Sequence, residues 1–314
     1  METESDIKVY PAQNKTLCKT ITADGTFFFA NPGAMHMTAQ PKLTIAKPAK
    51  TRPAAPQQSV ADLASGAIAR GTNILDIETP AALNEAISTG TDWFDSAFNV
   101  DQPGITPSSV ILFTAKPGCG KSTLGRQLAD GVTSSGNVAL YNAGEESVFQ
   151  VRKTCTRLNF DSGFIISCDK LIDDVLGHAR QLMAKNPGKR LVLILDSLAT
   201  LDDGYYKSGH INSATAVRVM DKIVEFCKET YCIAIVIGHV NKKGEFAGKQ
   251  QVKHAVDAHC HMSFMNASTR RIFKYTKNRF GQLSLKGTVL DMTATGLVKM
   301  DEDIEVDIDE DEAE

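Results

Sequence analysis

Nine residues at 115–123, AKPGCGKST, limit what this chain can fold into more than any other stretch. A proline and two glycines within 117–120 disfavour regular structure there. The run before them, SSVILF, is β-branched and aromatic and predicts a buried strand. The run after, LGRQLADGV, repeats Leu124, Leu128 and Val132 at four-residue spacing and predicts a helix with an apolar stripe. Strand, glycine loop and a helix opening at Lys121 make an anion cradle. Gly118 and Gly120 accept backbone angles at which successive N–H groups turn inward, beside the positive end of the helix. On this reading Pro117, Gly118, Cys119, Gly120, Lys121, Ser122 and Thr123 hold the phosphates of ATP. Lys121 faces the β- and γ-phosphates, and the Ser122 hydroxyl is a ligand for Mg2+. Ala115 stands where the usual pattern begins with glycine, and a tight turn with a coincidental lysine is the competing reading. The same loop environment, with N–H groups and a lysine around Cys119, predicts a thiolate more reactive than the other six cysteines.

Beyond the loop, strand-like runs (NVALYNAG, GFIISC, RLVLILD, YCIAIVIGH) alternate with helix-like stretches (EESVFQVRKTCTRL, KLIDDVLGHARQLMAKN, INSATAVRVMDKIVEFCKET). That alternation predicts an α/β fold with a mostly parallel central sheet flanked by helices. The later runs AHCHMSFM, RRIFKYTK and GTVLDM have no long helices between them, which predicts a small antiparallel extension at the sheet edge. Residues 1–40 read as a small segment with a hairpin about an Asp-Gly turn, 41–83 as a Pro/Ala/Lys-rich linker, 84–298 as the core, and 299–314 as a disordered acidic tail.

The seven cysteines are scattered and include no C-x-x-C, and the polar N-terminus is unlike a secretory signal. Both point to a reducing, cytoplasmic setting, without a zinc ribbon or disulfides. No apolar run approaches the ~20 residues that span a bilayer, so no membrane partner is expected. The last fourteen residues carry ten carboxylates and no base, which leaves the rest of the chain at +7 against −3 overall. A basic body predicts a polyanion partner; the tail predicts a mimic of it, a solubilising end, or a docking segment for another protein.

Acids and bases at strand ends are the candidate chemistry. Asp196 closes the apolar run LVLILD, which puts it at the carboxyl edge of the sheet, where it can hold the Mg2+ shell. Glu145, in ALYNAGEES, ends another strand and is the candidate for polarising a water; Glu146 is the alternative, or a residue that opens the next helix. His239, at the tip of CIAIVIGH, can sense the γ-phosphate. Tyr205, Tyr206 and Lys207 in LDDGYYKSGH, with Lys242, Lys243 and Lys249 in NKKGEFAGK, pair aromatic faces with lysines and are candidate contacts to single-stranded DNA. His259 and His261 share a strand face, but without a second cluster at ligand spacing they read as structural.

The segments ISTGTDWFDSAFN, KPGCGKST, GEES, LVLILDS, IGHVNKKGEFAG and KNRFG occur in that order and resemble the RecA-type ATPase core of the RadA (Sms) family of bacterial DNA-repair proteins, over about 84–298. The resemblance implies a RecA-like P-loop NTPase encoded by a bacterium or a phage, and a homo-oligomer, a hexameric ring, that hydrolyses ATP on single-stranded DNA in recombination, repair or replication. It also implies that Lys277 and Arg279 of KNRFG reach a neighbouring subunit's nucleotide or the DNA; an arginine supplied in trans can stabilise transition-state charge. The family's zinc ribbon and protease-like domain have no counterpart in these 314 residues. Filament-forming strand exchange, KaiC-like signalling without DNA, and a ring that binds nucleotide but barely turns it over are the alternatives.

Overall fold

The computed structural model describes residues 71–206, 209, 211–240, 250–265, 269–281, 283 and 286–305, with three strands nearer the N-terminus. The chain divides into two compact units, 1–55 and 56–314. In the first, β1 (Lys8–Ala12), β2 (Lys15–Ile21) and β3 (Phe27–Ala30) form an antiparallel sheet in that order. β2 and β3 flank the Asp-Gly pair of the predicted hairpin.

The second unit is built on β4 (Val110–Ala115), β5 (Val138–Ala143), β6 (Ile165–Ser167), β7 (Leu191–Asp196), β8 (Ile233–His239), β9 (Ala258–Phe264), β10 (Arg270–Asn278), β11 (Lys286–Thr293) and β12 (Gly296–Glu305). They form one sheet in the order β12-β11-β10-β9-β4-β8-β7-β5-β6. From β9 to β6 all neighbours are parallel; β10, β11 and β12 add antiparallel. Among the described residues the α-helices are α1 (Asp92–Phe98), α2 (Lys121–Ser134), α3 (Val148–Leu158), α4 (Ile172–Lys185), α5 (Ser213–Thr230) and α6 (Gln250–Ala255). The mostly parallel sheet with an antiparallel edge follows the sequence expectation.

The period-two alternation of a strand buried on both faces divides the core. Ile111, Phe113, Ile194, Ile235 and Ile237 point into one cluster with Phe94 and Phe98 of α1 and Leu124, Leu128 and Val132 of α2. Val110, Leu112, Leu193, Leu195 and Val236 point into the other, with Val175 and Ala179 of α4 and Val219, Ile223 and Phe226 of α5. The segment ISTGTDWFD is held by one buried carboxylate. Asp95 accepts from the Thr89 amide at 3.0 Å, the Thr89 hydroxyl at 2.6 Å and the Ser88 hydroxyl at 2.8 Å. Burial raises its pKa against the lowering effect of those bonds.

β12 runs on to Glu305, paired with β11 through Thr288↔Asp303 and Lys286↔Glu305. The first acidic residues of the predicted tail are therefore strand. Pairing at a sheet edge needs backbone groups, not apolar side chains, and charge is common there. Residues 306–314 of the tail, and most of 1–70, lie outside the described residues.

Candidate functional site

Strand register brings the site together. Ala115 of β4 lies level with His239 of β8, and Asp196 of β7 is level with Ile237 on one side and Ala143 of β5 on the other. β4 and β8 end level with each other, two residues beyond the paired ends of β7 and β5, and the loops after the four strands share the carboxyl edge where open α/β sheets bind ligands.

The loop after β4 leads directly into α2, with Gly118 at φ 75° and Gly120 at φ 109°, values that only glycine takes freely. Lys121 is buried, and its Nζ donates to the carbonyl oxygens of Ala115 at 2.9 Å and Lys116 at 3.5 Å. Burial lowers its pKa, partly offset by Asp196, Cys119 and Glu145. Among the described residues no carboxylate comes within ion-pair distance of it. A buried ammonium bonded to carbonyls, at the opening of a helix behind a glycine loop, fits a phosphate.

Asp196 is buried at the end of β7 and accepts from the Tyr141 hydroxyl. Glu145 lies in the segment between β5 and α3. Its Oε1 accepts from the Ser197 hydroxyl at 2.5 Å and lies 2.7 Å from His239 Nε2, which is also 3.2 Å from Ser197 Oγ. Burial pushes the Glu145 pKa up, but the bonds from Ser197 and His239, with the charges of His239 and Lys121, bring it below the usual glutamate value. An ionised carboxylate held by two donors at a phosphate cradle can orient a water. With Ser122 and Asp196 as oxygen ligands, the donor set suits a hard cation such as Mg2+.

The two glutamates separate. Glu146 turns away to an ion pair with Arg126 at 2.6 Å, while Ser147 caps α3 with a reciprocal bond to Gln150. Ser197, Arg126 and Tyr141 escaped the sequence reading, and so did Arg271. The buried Arg271 donates Nε to the Cys119 carbonyl at 3.1 Å and stacks 4.3 Å from the centre of the Phe264 ring. It could have been noticed: Arg271, Phe273 and Tyr275 alternate on the buried face of β10, so a charge sits where the pattern calls for an apolar residue.

Cys119 corrects an expectation. Its side chain is fully buried, with Sγ 3.5 Å from the Met262 carbonyl. Desolvation drives its pKa up to about 11, outweighing Arg271 and Lys121. The thiol points into the core and away from the loop's open side, so position in the motif did not determine its chemistry.

His259 and His261 form no metal cluster among the described residues. Both reach the Thr114 hydroxyl, from His259 Nε2 at 2.8 Å and His261 Nδ1 at 2.9 Å, and Thr276 Oγ1 lies 2.5 Å from His259 Nδ1. Tyr205 is 68% exposed, with the Arg218 guanidinium 4.4 Å from its ring centre and Tyr206 edge-on at 5.0 Å. Lys207, Lys242, Lys243 and Lys249 lie outside the described residues.

KNRFG is at the other end of the sheet. Lys277 pairs across to His259 and Asn278 to Ala258, which lies level with Ile111 near the start of β4. Lys277 Nζ donates to the carbonyls of Lys253, His254 and Val256 at 3.0, 3.1 and 2.7 Å, closing the end of α6. Burial lowers its pKa, with Arg279 adding to that and Asp257 opposing it. Asn278 donates to the Phe98 carbonyl at 2.6 Å, and Phe280 packs on Phe98. A Cβ at Gly281 would stand 2.4 Å from that same carbonyl oxygen. Arg279 alone keeps an open guanidinium, 54% exposed and 3.1 Å from Asp257.

Residues 99–245 match the family model of an AAA domain. The DNA repair protein RadA of Aquifex aeolicus is 32% identical over 212 residues, 68% of this chain and 46% of that protein. The chain spans about half the length of the curated relatives it matches. Among solved structures, a DnaB-like replicative helicase aligns with TM-score 0.59 and 14% identity over 68% of this chain and 61% of that one. A KaiC-like protein from Pyrococcus horikoshii aligns with TM-score 0.55 and 16% identity over 69% and 99%. This chain therefore carries a RecA-type P-loop ATPase core similar to that of the DNA repair protein RadA.

Proposed function

We propose that the chain hydrolyses ATP, and that it does so as an oligomer on single-stranded DNA in recombination, repair or replication. The observation that carries the hydrolysis is the convergence of Lys121, Asp196, Glu145, Ser197 and His239 at the carboxyl ends of four neighbouring strands. Lys121 and the loop amides hold the β- and γ-phosphates. Mg2+, held by Ser122 and Asp196, would neutralise charge that builds on the phosphate oxygens. Glu145 orients the attacking water and accepts its proton, with Ser197 and His239 fixing the carboxylate between them. His239 lies close enough to Glu145 to report whether the γ-phosphate is present.

Lys277 is committed to the end of α6, so the function in trans falls to Arg279. Its exposure and its distance from its own phosphate loop support an action on a neighbouring subunit. The likeness to RadA, the basic body, and the exposed Tyr205 stacked on Arg218 support DNA as the polyanion. Lys207, Lys242, Lys243 and Lys249 are kept as proposed phosphate-backbone contacts, and the acidic tail as their competitor.

The test is ATP turnover by the purified chain with and without single-stranded DNA, alongside Lys121→Ala. Turnover that rises with DNA and vanishes in the variant supports the reading. Turnover indifferent to DNA leaves an ATPase with another partner, and activity surviving Lys121→Ala removes the site.

A further inference from the structure

Arg126 and Tyr141 play no part in the chemistry above, yet both are deeply buried. Arg126 sits on α2 just beyond the phosphate loop and is 3% exposed although charged. Its Nη2 donates to Glu146 Oε1 at 2.6 Å, and its guanidinium carbon lies 5.6 Å from the centre of the Tyr141 ring. Its Nε makes no hydrogen bond. The Tyr141 hydroxyl donates to Asp196 Oδ2. Glu146, Arg126, Tyr141 and Asp196 thus form a continuous line from the segment carrying Glu145 to the end of β7.

We propose that Arg126 and Tyr141 are positioning residues, which hold Asp196 and Glu145 in their working orientations without touching the substrate. The proposal rests on the reading of the site as one that hydrolyses ATP. With Oδ2 taken by Tyr141, the Asp196 carboxylate cannot rotate freely, and its other oxygen keeps a fixed direction. Glu145 and Glu146 precede the cap of α3, where the backbone is not yet helical. Pulling Glu146 inward through Arg126 leaves Glu145 to turn the other way, to Ser197 and His239. A buried ion pair is seldom more stabilising than apolar side chains of the same volume, and here one nitrogen lacks a partner. The residue is better explained by what it orients. Because α2 begins at Lys121, the helix that presents the phosphate loop also fixes the water-orienting carboxylate.

Tyr141→Phe removes one hydroxyl and keeps the ring. In titrations of a fluorescent ATP analogue, the Mg2+ concentration for half-maximal binding should rise about fivefold. Binding without Mg2+ should stay at the wild-type value, while the melting temperature of the nucleotide-free protein falls by a few degrees with the lost bond. Arg126→Met and Glu146→Gln should each lower kcat about tenfold or more with KM for ATP kept. Arg126→Lys should recover part of the loss, and the Arg126→Met/Glu146→Gln double variant should be no worse than either single one. Superimposable Mg2+ titrations for Tyr141→Phe overturn the proposal, as do kcat losses that follow the melting temperature or extend equally to KM. A wild-type chain that binds the analogue without hydrolysing it refutes the activity reading, and the Mg2+ titration still decides the role of Tyr141.

Discussion

The two ends of the sheet use charged residues in opposite ways. At the carboxyl edge, charged and polar groups from four strands gather round a cradle, and among the described residues the buried Lys121 has only carbonyls for partners. At the other end, the run KNRFG spends most of its side chains on neighbouring backbone: Lys277 closes α6, Asn278 and Gly281 fit around the Phe98 carbonyl, and Phe280 covers Phe98. A short motif can thus be mostly scaffold with one working residue, and the partners of each side chain tell which is which. On this criterion Lys277 supports, and Arg279, exposed beyond its pair with Asp257, is the candidate for the working residue.

The sharpest way to break that contrast is a set of three variants. Lys121→Ala and Glu145→Gln should each lower turnover at least a hundredfold, and Glu145→Gln should keep nucleotide binding. Arg279→Ala should lower turnover comparably while each subunit's nucleotide affinity stays intact. Mixed with Lys121→Ala subunits, Arg279→Ala subunits should regain activity, because the two defects fall in different composite sites. Zero activity at every mixing ratio would place Arg279 with Lys277 as scaffold.

What the sequence disclosed follows the same division. The parallel core, its antiparallel edge, and Lys121, Asp196, Glu145 and His239 as neighbours were legible, because Asp196, Glu145 and His239 come at or just after the ends of apolar runs and Lys121 opens a helix behind a glycine loop. Three things were not. Ser197 looks like any small polar residue until strand register brings it to Glu145. Arg126 lies one turn along a helix whose partners come from elsewhere in the chain. The direction of the Cys119 side chain depends on β9 and β10, more than 140 residues away in sequence, whose Met262 and Arg271 contact it.

Cys119 yields the next prediction. With its thiol fully buried and its pKa raised to about 11, the thiolate fraction at pH 8 is about a hundredfold below that of an ordinary cysteine. Brief iodoacetamide treatment should modify the exposed Cys168 and spare Cys119, with or without ATP. Rapid, ATP-sensitive labelling of Cys119 would mean that the loop turns inside out in solution.

Lys277→Met should cost less activity and more stability. It removes three hydrogen bonds to the end of α6 and a positive charge at the carboxyl end of that helix, together about 1–3 kcal/mol. The melting temperature should fall by several degrees with nucleotide affinity unchanged. An unshifted melting curve with lost turnover would move Lys277 to the working side of the comparison.

The smallest effect concerns His259, which pairs with Leu112 midway between the two ends of β4. Burial is the main reason its pKa falls to about 3, aided by the charges of Lys253, His261, Lys277 and Lys274. Thr114 and Thr276 bond to the two nitrogens of its ring. An unfolded histidine titrates near 6.5. Between about pH 6.5 and 3, the unfolded chain therefore binds a proton at this residue that the folded chain does not. Stability is complete above that window and declines as pH falls through it, by at most about 1.4 kcal/mol per pH unit from this group. Carboxylates throughout the protein add their own pH dependence at the acid end, so the comparison must be between two proteins and not two pH values. In urea titrations from pH 7 to 5, His259→Gln should lose less stability per pH unit than the wild-type protein, even if it starts lower. Parallel slopes would mean that His259 takes up its proton in the folded state, with the Thr114 network rearranging to admit it. The network of Thr114, His259 and Thr276 would then be a titrating element of the sheet, and no longer a fixed part of its scaffold.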